Sequence, residues 1–268
     1  MDVLKRNNVN ISGNPIADNT LMFGHGFGLD QTSFLQVTQH FEKDYRIILY
    51  DNVGGGHSDM NAFDPAKYST LDGYVTDLGE IMARLNTGKV IFVGHSVNGM
   101  VGLIASLRYP EYFKNLILIG ASPRYLNDAK TGYFGGFSQG DLDTLYHSMT
   151  TNYAEWVNNF SKVAMANPER PALAKMFAST LSQLNPSTAK FVAQAIFESD
   201  FRADLAKAKV PTLIIQTSRD IAVPEQVGEY LHNHIPNSSH VKIKTDGHFP
   251  QISGPDELAL AIKNYLES

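Results

Sequence analysis

The chain has 268 residues, 43% of them apolar, which is enough for one large α/β domain carrying an insertion and an ordinary share for a chain that buries a core. Its net charge of -5 is spread over interspersed residues, with no basic stripe or arm to meet a phosphate backbone, so nucleic acid is not an expected partner. The absence of cysteine excludes disulfides, thiolate metal sites and a cysteine nucleophile.

Met1 to Asn8 is polar and holds no apolar segment of signal-peptide length, and no run approaches the roughly 18 apolar residues of a membrane span, so a cytoplasmic protein is expected. After this start, Thr20-Leu-Met-Phe-Gly24 reads as a buried strand and His25-Gly-Phe-Gly-Leu-Asp30 as the loop that follows it. A helix is predicted from about Thr32 to Phe41. Arg46-Ile-Ile-Leu-Tyr-Asp51 is the next strand, running into Asn52-Val-Gly-Gly-Gly-His-Ser58. Three glycines invite a phosphate-loop reading, yet no Gly-Lys-Ser/Thr follows and no helix starts there, which leaves a tight loop. Leu71 to Leu85 has helical spacing through Tyr74, Leu78, Ile81 and Met82, and Val90-Ile-Phe-Val93 is a strand. Val97 to Tyr109 is a helix closed by Pro110, and Leu116-Ile-Leu-Ile-Gly120 is another strand. Between Ser122 and Arg202 the alternation stops. A connector rich in Gly and Tyr, Tyr125 to Phe137, leads into predicted helices near Gly140–Thr150, Tyr153–Ala166, Pro171–Gln183 and Ser187–Phe197. Alternation then resumes with strand Thr212–Gln216, helix Pro224–Ile235, strand Val241–Lys244 and helix Pro255–Leu266. Such a chain predicts an α/β, mostly parallel, doubly wound sheet in a core of residues 1–121 and 203–268, with a helical cap over 122–202.

The chemistry centres on Val90-Ile-Phe-Val-Gly-His-Ser-Val-Asn-Gly99. A strand stops at Ser96 and a helix begins at once, the setting in which a serine hydroxyl is pushed clear of a sheet as a nucleophile. Gly94 stands two residues before Ser96, but the position two after it is Asn98, with a glycine only at Gly99. A serine hydroxyl needs a base, and the base needs a third group to orient it. Asp220 follows the strand Thr212–Gln216 and His248 follows the last strand, so both fall at the same edge of the sheet as Ser96, in the order serine, acid, histidine. Asp246 competes as the acid, although it would have to fold back on its own loop. The main-chain N–H groups of Val97 and Phe27 are expected to receive the oxyanion of a tetrahedral intermediate, with the Phe27 ring left free to form a wall of the substrate pocket. His95 reads as structural, the remaining histidines form no ligand set, and neither metal nor cofactor is expected. The aromatic residues Tyr125, Phe134, Phe137, Trp156, Phe160 and Phe197 of the cap, with Phe249 beside the histidine, suggest an apolar pocket for a small molecule.

His25-Gly-Phe-Gly-Leu-Asp-Gln31, Asp51-Asn-Val-Gly-Gly-Gly-His-Ser-Asp59, Gly94-His-Ser-Val97, Ala121-Ser-Pro-Arg-Tyr-Leu-Asn-Asp128 and Asp246-Gly-His-Phe-Pro-Gln251 together resemble the α/β hydrolases related to RsbQ, a bacterial stress-response regulator whose plant relatives are the karrikin and strigolactone receptors. The similarity runs over nearly the whole chain, and Asn98 departs from the small residue usual in that family. It implies an α/β-hydrolase fold, a cap of four helices in a V, a triad at Ser96, Asp220 and His248, and oxyanion donors at Phe27 and Val97. Tyr125, Phe134, Trp156, Phe160 and Phe197 fall where the family lines its pocket. Two functions follow as expectations. One is a cofactor-free serine hydrolase of a small apolar ester, lactone or butenolide. The other is a regulator that binds such a ligand and docks a protein partner.

Overall fold

The computed structural model describes residues 2–268. Seven strands form one sheet: β1 (Asn10–Gly13), β2 (Thr20–Gly24), β3 (Arg46–Tyr50), β4 (Val90–His95), β5 (Phe113–Ile119), β6 (Thr212–Ser218) and β7 (Ser238–Asp246), in the order β1-β3-β2-β4-β5-β6-β7. β1 runs antiparallel to β3 and every other neighbouring pair is parallel. Side chains alternate between the faces. Leu21, Phe23, Ile47, Leu49, Ile91 and Val93 pack on one side against the C-terminal helix Pro255–Leu266 through Leu258 and Ile262. Met22, Ile48 and Phe92 pack on the other, against helices Asp72–Leu85 and Val97–Arg108. Because both faces are covered, the central strands are apolar throughout, which is why they read as continuous runs.

The predicted helix over Thr32–Phe41 is broken. A 3-10 turn, Gln31–Phe34, capped by the Asp30 side chain, is followed by a single α turn, Leu35–Thr38. β1 was not anticipated. Its burial pattern is exposed at three of four positions, so it carries no apolar run.

Between β5 and β6 come four helices, Gln139–Thr151, Tyr153–Met165, Pro171–Ser182 and Pro186–Phe197. Local chemistry sets their breaks. Ser138 and Asp141 form a reciprocal capping box, Asn152 and Asn185 cap the second and fourth helices, and Pro171 and Pro186 occupy first-turn positions where a missing N–H costs nothing. No helix among the described residues is long and apolar enough to cross a membrane.

Candidate active site

Ser96 sits between the last residue of β4 and the first of the Val97–Arg108 helix, with φ 56° and ψ -122°. That backbone is strained for any residue with a Cβ. It is held by the Ser96 N–H donating to the Ile119 carbonyl of β5 at 2.8 Å, and by Gly99 N–H returning to the Ser96 carbonyl at 2.9 Å. The turn points the hydroxyl toward the carboxyl edge of the sheet, where the loops after β6 and β7 bring Asp220 and His248. Ser96 Oγ lies 2.9 Å from His248 Nε2, and His248 Nδ1 lies 2.8 Å from Asp220 Oδ2. All three are buried, at 5%, 7% and 9% exposure. An ionised carboxylate only accepts, so Nδ1 carries the proton and Nε2 is free to accept from the serine. The other oxygen of Asp220 accepts from the N–H groups of Ala222 at 2.9 Å and Val223 at 3.1 Å, which fixes the carboxylate from behind. Asp246 is turned away and pairs with Arg219.

Phe27 and Val97 line one cavity beside the serine. Neither N–H donates to a backbone acceptor among the described residues. The Phe27 loop comes so close to the elbow that a Cβ on Gly26 would stand 3.1 Å from Ser96 Cβ and 2.5 Å from His95 Nδ1. Asn98, the departure from the expected elbow pattern, is fully buried. It donates through Nδ2 to the His25 carbonyl of this loop and accepts at Oδ1 from the Tyr50 hydroxyl at 2.8 Å.

His95 donates from Nε2 to the His248 carbonyl at 2.7 Å. Burial first, then the nearby His248 ring, holds its pKa well below the usual histidine value, so it is neutral. On the far side, His248 N–H donates to the Ala164 carbonyl at the end of the Tyr153–Met165 helix at 2.9 Å, and Asn167 Nδ2 donates to the Asp246 carbonyl at 3.1 Å. The base loop is therefore stitched both to the elbow and to the inserted helices.

The expected pocket aromatics fall into two groups. Tyr125, Phe137 and Phe197 form one, with Tyr125 and Phe197 centroids 5.0 Å apart and the Tyr125 hydroxyl 3.4 Å from Ser96 Oγ. Burial pushes the Tyr125 pKa up, so the hydroxyl stays protonated. Trp156 stacks on Phe160 at 5.1 Å, and a chain continues through Phe177 to Phe249 beside His248. Phe177 was not singled out in the sequence, since one phenylalanine in an amphipathic helix has no distinguishing spacing. Phe134 joins neither group. Its neighbour Tyr133 is drawn inward to the Arg124 carbonyl, and Phe134 is left 48% exposed.

A cavity of about 30 Å³ abuts Phe27 and Val97 and extends between the Asn52–Gly55 loop and Leu184, Val192 and Ile196 of the cap. Among the described residues, no group of three or more His, Asp or Glu stands close enough together to hold a metal ion.

The profile of the alpha/beta hydrolase fold family matches residues 19–255. The chain is 42% identical over 258 residues to the strigolactone esterase RMS3 of Pisum sativum, covering 96% of this chain and 95% of that protein. It is 41% identical over 255 residues to the karrikin insensitive 2 receptor CA of Petunia hybrida, covering 95% and 93%. A solved hydrolase from Oleispira antarctica superposes with a TM-score of 0.95 at 32% identity, over 100% of this chain and 97% of that one. The chain thus belongs to the α/β hydrolases and is related to the plant strigolactone esterases and karrikin insensitive 2 receptors.

Proposed function

We propose that the protein is a serine hydrolase of small apolar esters or lactones, butenolides included, that works without a cofactor. The observation that carries this reading is the buried hydrogen-bond chain from Ser96 through His248 to Asp220, at 2.9 and 2.8 Å. His248 Nε2 takes the serine proton as Oγ attacks the carbonyl carbon. The N–H groups of Phe27 and Val97 receive the developing oxyanion, and Asp220 stabilises the imidazolium that forms. The proton then passes from His248 to the leaving oxygen. Water, deprotonated by the same histidine, releases the acyl group and restores Ser96. The core of residues 1–121 and 203–268 holds this chemistry, and the 122–202 cap selects what reaches it. Tyr125, Phe137, Trp156, Phe160, Phe197 and Phe249 supply an apolar lining that suits a small ligand, whereas the exposure of Phe134 argues against its direct contact. Turnover of a short-chain aryl ester, such as p-nitrophenyl acetate, should fall by at least a thousandfold in Ser96→Ala, and undiminished turnover in that variant would overturn the reading.

A second reading has an observation of its own. The cavity beside Phe27 and Val97 is only about 30 Å³, and the Tyr125 hydroxyl lies 3.4 Å from Ser96 Oγ, an arrangement that suits holding a small ligand against the serine more than rapid passage of substrates. Relatives at about 40% identity carry both esterase and receptor in their names. A receptor of this kind would bind its butenolide, turn it over slowly and present an altered cap to a cytoplasmic regulatory protein. Isothermal titration of the Ser96→Ala variant with a butenolide separates the two: tight binding with slow wild-type turnover favours the receptor, and fast multiple turnover with weak binding favours the enzyme.

A further inference from the structure

We infer that Asn98 is a positioning residue for oxyanion stabilisation, clamping the loop that carries the Phe27 N–H to the nucleophile elbow. This rests on the hydrolase reading given above and explains the residue that breaks the small-residue pattern after the nucleophile.

Four observations converge on that role. Asn98 has no exposure to solvent, so its amide must be satisfied inside the protein. Its Nδ2 donates to the His25 carbonyl, two residues ahead of Phe27. A carbonyl can only accept, so the amide nitrogen must face it and Oδ1 must face Tyr50, whose hydroxyl then donates at 2.8 Å. Tyr50 is itself fully buried, and burial followed by the charge of Asp77 pushes its pKa up, which keeps the hydroxyl protonated as a donor. The backbone leaves room for this pair: a Cβ on Gly24 would stand 2.7 Å from Asn98 Cγ and 2.8 Å from the Tyr50 hydroxyl. Space, donor and acceptor order, and burial all specify an amide here. A merely tolerated polar residue would need none of this.

The mechanical consequence follows from position. Asn98 is on the first turn of the nucleophile's helix, one residue after Val97, so a single side chain ties both oxyanion donors into one frame. A second bond to the same carbonyl comes from Asn52 Nδ2 at 3.2 Å, at the start of a glycine-rich loop. Loss of Asn98 therefore loosens the loop without freeing it. The Asp220 to His248 to Ser96 chain does not run through Asn98, so its two hydrogen bonds are untouched.

The experiment compares wild type, Asn98→Leu, which keeps the approximate volume and removes both bonds, and Tyr50→Phe, which removes only the buttress. For p-nitrophenyl acetate, Asn98→Leu is expected to lower kcat about 10- to 100-fold, below the roughly 10²- to 10³-fold of a fully lost oxyanion donor because the loop is loosened and not freed, with KM within threefold and the pH profile unshifted. Tyr50→Phe should lower kcat two- to tenfold with the same signature. A phenyl trifluoromethyl ketone, which forms a tetrahedral adduct on serine, should bind Asn98→Leu at least tenfold more weakly, while the corresponding secondary alcohol, which cannot form one, binds both proteins alike. A structural role alone would weaken both ligands or shift KM. Should Asn98→Leu fail to fold, Tyr50→Phe carries the test with the same two ligands. Folded variants with kcat within twofold of wild type and unchanged ketone affinity would overturn the inference. If wild type itself turns over no ester, or Ser96→Ala turns over as fast, the hydrolase reading fails instead.

Discussion

Replacing Asp220 by Asn tests the triad with almost no change in shape. In the native arrangement Asp220 Oδ1 accepts from the Ala222 and Val223 N–H groups, and Oδ2 accepts from His248 Nδ1 at 2.8 Å. An asparagine must keep its carbonyl oxygen toward the two backbone donors, because its NH₂ group cannot accept from them. The NH₂ is then aimed at His248 Nδ1, which can only face it unprotonated. The proton moves to Nε2 and points at Ser96 Oγ, and the base is blocked. Loss of the orienting carboxylate in a serine triad costs about 10⁴ in turnover, or roughly 5.4 kcal/mol at 1.36 kcal/mol per decade. Steady-state hydrolysis of p-nitrophenyl acetate at pH 7.5 should therefore fall by about three to four orders of magnitude in Asp220→Asn, with KM little changed. Asp246→Asn, at the carboxylate that pairs with Arg219, should stay within about threefold of wild type. Retention of more than a tenth of wild-type kcat in Asp220→Asn would refute the tautomer argument. An equal loss in Asp246→Asn would show that the acid had been placed on the wrong loop.

Other outcomes follow from the same geometry. Ser96→Gly should be more stable than Ser96→Ala by about 0.5–2 kcal/mol in denaturant melts, because glycine relieves a positive φ worth about 1–3 kcal/mol and loses about 0.5–1 in chain entropy; equal stabilities would mean that the elbow is not strained. Tyr125→Phe should raise the KM of a lactone about fivefold, the equivalent of one hydrogen bond of about 1 kcal/mol, and a drop in kcat alone would instead assign the hydroxyl to the chemical step. Buried His95 and half-buried His240 both have pKa values held below the ordinary 6.5, chiefly by burial, so on acidification the unfolded chain takes up their protons first. Their contribution to stability is complete above about pH 6.5 and declines below it, by at most about 1.36 kcal/mol per pH unit for each; melts at pH 8 and pH 5.5 should show this drop, and His95→Gln should reduce it.

The strands were legible because a sheet covered on both faces writes itself as apolar runs, and Leu21 to Phe23, Ile47 to Tyr50 and Val90 to Val93 are all buried. β1 was not, since an edge strand exposed at three of its four positions has no reason to be apolar. The four inserted helices were legible to within a few residues because their caps are local. Ser138, Asn152 and Asn185 each accept from N–H groups two or three residues ahead. Ser96, Asp220 and His248 could be nominated because each follows a strand at the same edge, a property of order along the chain. What Asn98 does could not. Its partners, Tyr50 and His25, are 48 and 73 positions away, and only the folded backbone shows that Gly24 leaves the space between them. The polar links between elements are the part of a site that sequence order conceals.

Those links change how the elbow should be understood. The turn at Ser96 is held in a conformation its own residue disfavours, so its geometry must be imposed by neighbours. The sheet supplies part of that restraint through Ile119, and the residues flanking the serine extend it outward. His95 reaches the carbonyl of His248, and Asn98 reaches the carbonyl of His25, so one four-residue stretch, His95 to Asn98, sets the position of the His248 loop and of the Phe27 loop together. The His248 loop in turn donates a backbone hydrogen bond to the inserted helices, at the Ala164 carbonyl. Tyr125, which lies in the same inserted segment, has its hydroxyl 3.4 Å from Ser96 Oγ. Movement of the Tyr153–Met165 helix therefore bears directly on the bond that seats His248. On the proposed hydrolase reading, cap position and catalytic competence are coupled through that bond, and for that reason a hydrolase of this construction and a ligand sensor of this construction would draw on the same contacts.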